Sequence, residues 1–257
     1  YIVRYTRCRT RILCLGCYGI RNTYWRCTVM ELDANTQLIF HWIPIVFGLI
    51  LMSPLGEGLG MRLSSRWKSL ETVRGRTLGG MIAVMFGGFT VSAHTLWIHN
   101  KASEMGGGQF CSSDGVWDCS SVIGNSDWNT MPFIGLPWGL LGMLAFALFM
   151  WLAISIAKEP SASWVSSNLS IGRNFGILGI LMIFYLIYAE YEIGKLCQYC
   201  TTAHVSHVIS TLGFFRLSKM YGGSEWRGSS VTTIETESKE RRKRGGYVAP
   251  KVASEEE

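Results

Sequence analysis

Two cysteine pairs are the residues most able to do chemistry. Cys111 and Cys119 lie in FCSSDGVWDCSS at C-x7-C spacing, and Cys197 and Cys200 form the C-x-x-C of CQYC. Two thiols at C-x-x-C spacing can close and open a disulfide or supply half of a zinc site. The CQYC motif opens a predicted helix, where free backbone N–H groups and the macrodipole favour a thiolate. Zinc needs four ligands at close range, and C-x7-C is not a usual zinc spacing. Three readings therefore stand for the four cysteines: redox exchange, which leads, a pair of structural disulfides, and zinc. No metal is assigned. Two histidines join them. His204 is one helical turn beyond Cys200 on the same face. At about 1.5 Å per residue it lies roughly 10 Å below the start of its segment. His94 falls at a similar depth in an earlier apolar segment, so the two are expected to approach one another. Ionisable residues inside apolar segments are functional candidates, and the alternative for each is a plain helix-contact histidine.

The elements that position these residues read as membrane helices. Of 257 residues, 48% are hydrophobic and only 16% charged, against about a quarter charged in soluble domains. A spanning helix needs about 20 mostly apolar residues. Four runs meet this: 78–98, 133–157, 175–191 with its flanks, and 197–217. A fifth, 38–55, is short and holds His41 and Pro44; it is expected to be an additional transmembrane or interfacial helix. The predicted fold is an all-α integral-membrane four-helix bundle with that extra N-terminal helix. Small residues in GGMIAVMFGG allow close helix packing. Trp97, Trp117, Trp128, Trp138 and Tyr199 are expected to form an interfacial belt, with the wall of a ligand pocket as the alternative for some of them.

Charge orients the bundle. The net charge of +6 sits beside the hydrophobic runs, which argues for bilayer orientation and against a nucleic-acid partner. Residues 56–77 carry Arg62, Arg66, Lys68, Arg74 and Arg76 against Glu57 and Glu71, and the tail holds the cluster 239–244. The 100–130 loop has only Lys101 against Glu104, Asp114, Asp118 and Asp127, and the 190–195 connection has Glu190 and Glu192 against Lys195. Cation-rich loops stay on the cytoplasmic, stromal or matrix side. Both cysteine pairs then share the outer side, periplasmic or lumenal, where disulfides persist. Residues 1–36 form a basic segment, expected to be a targeting sequence or upstream read-through; its Cys14-x-x-Cys17 has no partner pair and receives no role. Residues 37–77 hold the extra helix and a linker, 78–221 the catalytic bundle, and 222–257 a charged, disordered tail.

The motifs C-x7-C-S, S-D-W, F-I-G-L-P-W-G-L-L-G and C-Q-Y-C-T-T-A-H, in that order over residues 78–217, resemble the vitamin K epoxide reductase family. The resemblance implies that Cys200 meets a quinone, that Cys197 is its disulfide partner, and that Cys111 and Cys119 are the loop shuttle pair. Ser126, two positions before Trp128, matches the family's loop serine near the quinone, displaced by one inserted residue. Where vertebrate members have a tyrosine four residues after the second active-site cysteine, this chain has His204, as bacterial, archaeal and plant members do. That departure favours plain quinone reduction over epoxide reduction. His204, with His94, is expected to hydrogen-bond the quinone (ubiquinone, menaquinone, phylloquinone or a relative) or to supply protons. No second C-x-x-C follows residue 200, so the thiol partner is expected to be a separate thioredoxin-like or other thiol protein.

The implied activity is that of a membrane thiol–quinone oxidoreductase supporting disulfide formation. Three alternatives compete: a vitamin K epoxide reductase proper, a haem-binding membrane protein with His94 and His204 or His207 as axial ligands, and a scaffold with structural disulfides only.

Overall fold

The structure, a computed structural model, describes residues 17–20, 24–27, 34–105 and 113–226. A short antiparallel ribbon, β1 (Cys17–Ile20) and β2 (Tyr24–Cys27), comes first. Then follow α1 (Ala34–Met52), α2 (Gly56–Ser64), a 3-10 turn (Lys68–Glu71) and the long α3 (Val73–Met105). The loop after α3 carries a small hairpin, β3 (Ser113–Asp114) with β4 (Trp117–Asp118), and the short α4 (Cys119–Ile123). The chain ends in α5 (Trp138–Lys158), α6 (Val165–Ile193) and α7 (Gln198–Met220).

Helices α3, α5, α6 and α7 form the expected bundle, with α5 and α7 both packed on α3 and α6 packed on α7. By length and composition α3, α5 and α6 are each long and apolar enough to cross a membrane. The outer face of α6 shows Ile177, Leu181, Phe184 and Ile187 outward, as a lipid-facing surface must. The most polar member, α7, has ten buried residues. Its buried hydroxyls bond back to their own helix: Thr202 to Gln198 O, Ser206 to Thr202 O, Ser210 to Ser206 O and Thr211 to His207 O, all at 2.7–2.9 Å. A polar group in an apolar medium is costly unless bonded, and this back-bonding lets a serine- and threonine-rich helix pack within the bundle. At 23 residues it is about 35 Å long, enough to match its neighbours.

The extra helix packs along the bundle. Residues of α1 meet α3 in antiparallel order, His41 opposite Thr90 and His94, Gly48 opposite Val84. It therefore shares the depth of α3, and Pro44 lies inside it. A Cβ on Gly87 would stand 2.9 Å from His41 O, so the small residues of α3 do allow close approach. After Met52 the chain bends by 97° into α2, at Pro54, which cannot continue a helix.

Three boundaries differ from expectation. The apolar stretch from residue 133 is not helical until Trp138: Phe133 has φ 69° and is fully exposed, and Pro137 stands at the helix start. Residues 165–174, polar and unassigned by hydropathy, are the first turns of α6. Residues 222–226, expected in the disordered tail, pack back on the bundle. Trp226 is buried, donates to Pro160 O (3.0 Å), accepts from Arg74 and lies under its guanidinium.

Candidate functional site

The site is built where α6 gives way to α7. Gly194 closes α6 in the left-handed conformation (φ 69°), and Lys195 N–H bonds back to Glu190 O at 3.2 Å. Glycine enters that conformation without steric cost. The chain then runs extended through Leu196, and Cys197 caps α7. Cys197 and Cys200 are joined in a disulfide, with Cα atoms 5.2 Å apart. Cys197 Sγ accepts from Cys200 N–H (3.1 Å), and Cys197 N–H donates to Glu190 Oε1 (3.1 Å). The helix start thus gives the Cys197 sulfur one of its unpaired donors.

The loop is docked onto this turn by main-chain bonds. Asp118 N–H donates to Leu196 O (3.0 Å), Leu196 N–H to Val116 O (2.9 Å), and Lys195 Nζ to Gly115 O (2.8 Å). Asp118 also caps α4, accepting from Ser121 N–H (3.1 Å) and from the hydroxyls of Ser120 and Ser121. Partial burial pushes its carboxyl up, but these hydrogen bonds and the Lys195 charge outweigh that and hold it below the usual value. Cys119 is disulfide-bonded and buried, in one apolar cluster with Cys197, Tyr199, Ile123, Val91 and Ile98. Cys111 lies outside the described residues.

On the other side of the disulfide is a cavity of about 390 Å³ enclosed by α3, α5, α6, α7 and the loop. That is within the usual range of about 300–1,000 Å³ for small-molecule sites. Cys200, half-buried, stands on its wall, whereas Cys197 is fully buried and is not part of it. The lining is mainly apolar, from Leu141, Phe146, Leu178, Met182 and Leu186 among others, with few polar groups. His204 lines it, and no hydrogen bond to its ring is present among the described residues. Trp128 and Trp138 also line it. Tyr185 lies 5.8 Å from both indoles, centroid to centroid, and Trp138 Nε1 is anchored to Trp128 O at 3.0 Å.

The structure therefore brings together Cys119, Cys197, Cys200 and His204, and separates two other candidates. Ser126 is exposed, bonds to Asp127 (3.3 Å) and does not line the cavity. The Asn125 side chain accepts from Asp127 N–H (2.9 Å) and Trp128 N–H (3.3 Å). This turn swings Ser126 outward and brings Trp128 and Asn129 to the wall. His94 does not approach His204. On α3 the cavity face is Ser92, Thr95 and His99, at helical spacing; His94 is on the other side, bonded to His41 (3.1 Å) and 4.8 Å from Tyr199, centroid to centroid. The bis-histidine axial arrangement considered from the sequence, with His94 opposite His204 or His207, is thus not formed. His207 donates to Gly176 O (3.1 Å), a helix-contact histidine.

Sequence reasoning missed Glu190, which it counted among loop charges; it is buried in the last turn of α6. It also missed His99, whose spacing from Ser92 and Thr95 was the available signal. Trp128 and Trp138, expected in the belt, are cavity walls, and Tyr199, expected there too, is buried against the two histidines. A family model described as Vitamin K epoxide reductase family matches residues 80–214, just over half of the chain. No curated protein matches it.

Proposed function

Because the chain belongs to the vitamin K epoxide reductase family, whose members are membrane oxidoreductases acting on thiols and quinones, we propose that it oxidises a separate thioredoxin-like protein and delivers the electrons to a quinone. The observation that carries this reading is the split placement of one disulfide. Cys200 faces an apolar cavity, and Cys197 is sealed behind it beside Cys119.

The chain's own residues divide the work. Cys111 and Cys119 form the outer disulfide, which takes electrons from the partner by thiolate attack through a mixed disulfide. The loop's bonds to Leu196 and Lys195 hold Cys119 against Cys197. A loop thiolate then attacks Cys197, the S–S bond to Cys200 breaks, and Cys200 leaves as the thiolate on the cavity wall; the second loop thiolate attacks the loop sulfur of this mixed disulfide, re-forming the Cys111–Cys119 bond and releasing Cys197 as a thiol. The cavity fits a quinone by its size, its aromatic wall and the unpaired ring of His204. Trp128, Trp138 and Phe146 would flank the head group, and His204 and Asn129 would supply polar contacts. A quinone held there would take up the two electrons and two protons. His204 in place of the vertebrate tyrosine supports quinone reduction over epoxide reduction. Residues 78–221 would form this catalytic unit, with the cysteines on the periplasmic or lumenal side.

The test is anaerobic incubation of the purified protein with a reduced thioredoxin-like donor and ubiquinone or menaquinone analogues, following quinone absorbance. Turnover that vanishes in Cys200→Ser and persists in Cys17→Ser is expected. Turnover that survives Cys200→Ser would refute the reading.

A further inference from the structure

We propose that Glu190 is the proton acceptor for the Cys197 thiol. The inference rests on the redox reading above, and it concerns a residue that the cysteine chemistry by itself does not call for.

Glu190 is 5% exposed, in a helix that otherwise faces lipid and apolar neighbours. Among the described residues no cation pairs with it. Carboxylates in apolar surroundings are rare and functional by default. This one is placed on the reacting atoms. Its carboxyl oxygen, Cys197 Sγ and Cys200 Sγ all lie within 4.8 Å of one another. Oε1 accepts Cys197 N–H, and the carboxyl has lone pairs for further partners. Glu190 also lines the cavity beside Cys200. It is therefore a bridge between the sealed sulfur and the space that Cys197 itself does not reach.

The step balances within the pair. When the dithiol returns to the disulfide, the Cys197 S–H bond breaks and the Cys197–Cys200 S–S bond forms. Two electrons and two protons leave with the acceptor that the proposed activity supplies. Cys197 cannot hand its proton to the cavity, from which it is sealed, and Glu190 takes it and releases it on the cavity side. Other titratable groups around the carboxyl are already committed or stand apart from Cys197. Lys195 reaches away to Gly115 O, and Asp118 caps α4. His99, His204 and His207 are on the cavity wall, which the sealed Cys197 sulfur does not join.

The experiment uses the full chain in lipid nanodiscs, reduced, without quinone. The rate of Cys197 alkylation is followed against pH by mass spectrometry in wild type, Glu190→Gln and Glu190→Asp. Gln keeps an oxygen for Cys197 N–H but cannot take a proton. The Glu190→Gln profile is expected to shift by about one pH unit, and Glu190→Asp to lie between it and wild type. In parallel, quinone turnover is expected to fall about a hundredfold in kcat in Glu190→Gln, the low end for a lost acid–base group, with KM unchanged. Superimposable alkylation profiles of wild type and Glu190→Gln overturn the proposal, whatever the turnover. A shifted profile in a protein that turns over no quinone upholds Glu190 as the acceptor and removes the quinone reading. If Glu190→Gln does not fold, Glu190→Asp carries the test: a wild-type profile in it, with the carboxyl withdrawn by one methylene, overturns the proposal equally.

Discussion

Cys200 and His204 share one face of α7, one turn apart, and both reach the cavity. Replacing His204 with alanine removes a polar contact from an apolar site and should lower quinone turnover about tenfold, the equivalent of one hydrogen bond. Ser126→Ala should leave it within about twofold, since an exposed surface change rarely exceeds about 0.5 kcal/mol. Initial rates with a fixed thiol donor compare the two, and the reverse order would restore the serine to the site. The cysteine pairs were legible because spacing is a property of sequence. The histidines were only half legible. Depth in a helix follows from counting, but facing follows from which neighbour lies where: Ser92, Thr95 and His99 turn to the cavity, and His94, between them in sequence, turns to α1. Ser126 was read from a motif alone, and a motif does not show that the Asn125 side chain binds its own chain and leaves Ser126 exposed.

Two elements hold the site in place, the docked loop and α1. The loop depends on Asp118, whose side chain caps α4 just before Cys119. Asp118→Ala should cost about 1 kcal/mol of loop docking and slow electron transfer from loop to Cys197 several-fold, measured by quenched-flow trapping of mixed disulfides. The pH dependence has a definite sign. The Asp118 carboxyl sits below its ordinary value in the folded protein, so the cap is complete above about pH 4, the ordinary carboxylate range. It is lost only as pH falls through the depressed value. Hydrogen exchange of residues 115–123 should therefore stay slow down to that point. On the other side, Thr90 gives its hydroxyl proton to Gly87 O, so His41 Nδ1–H donates to Thr90 and His94 Nδ1–H to His41 Nε2. His41→Ala leaves the His94 donor unpaired and should destabilise the protein by about 1–3 kcal/mol, read as a lower thermal midpoint. The sequence identified α1 as marginal because of His41 and Pro44. Antiparallel contact with α3 gives His41 its partners, and hydropathy cannot register a partner.

At the scale of the whole molecule, the two ends of the bundle differ in charge and in task. Arg62, Arg74, Arg76, Lys158, Arg216 and Lys219 gather where α3 begins and α5 and α7 end, while Cys119, Cys197 and Cys200 lie at the other end. The order of the bundle helices and the shared end of Cys119, Cys197 and Cys200 follow from apolar run lengths and charge alternation. The cavity does not, because it is a gap between four helices and a loop that no single segment encodes. A membrane-impermeant maleimide, added to reduced protein in oriented vesicles, should label Cys111 and Cys119 from the cation-poor side only; labelling from the opposite side would invert the topology. Trp226 should matter at the cation-rich end. Trp226→Ala removes its bond to Pro160 O and its contact with Arg74, and should cost about 3–5 kcal/mol, as large-to-small core changes do, while leaving the thiol chemistry intact. The indoles of Trp128 and Trp138, the second held by its bond to the main-chain oxygen of the first on the cavity wall, make that space visible to light. An electron-poor ring entering between them would extinguish their fluorescence, so occupancy becomes a spectroscopic quantity, readable even in a chain stripped of every sulfur.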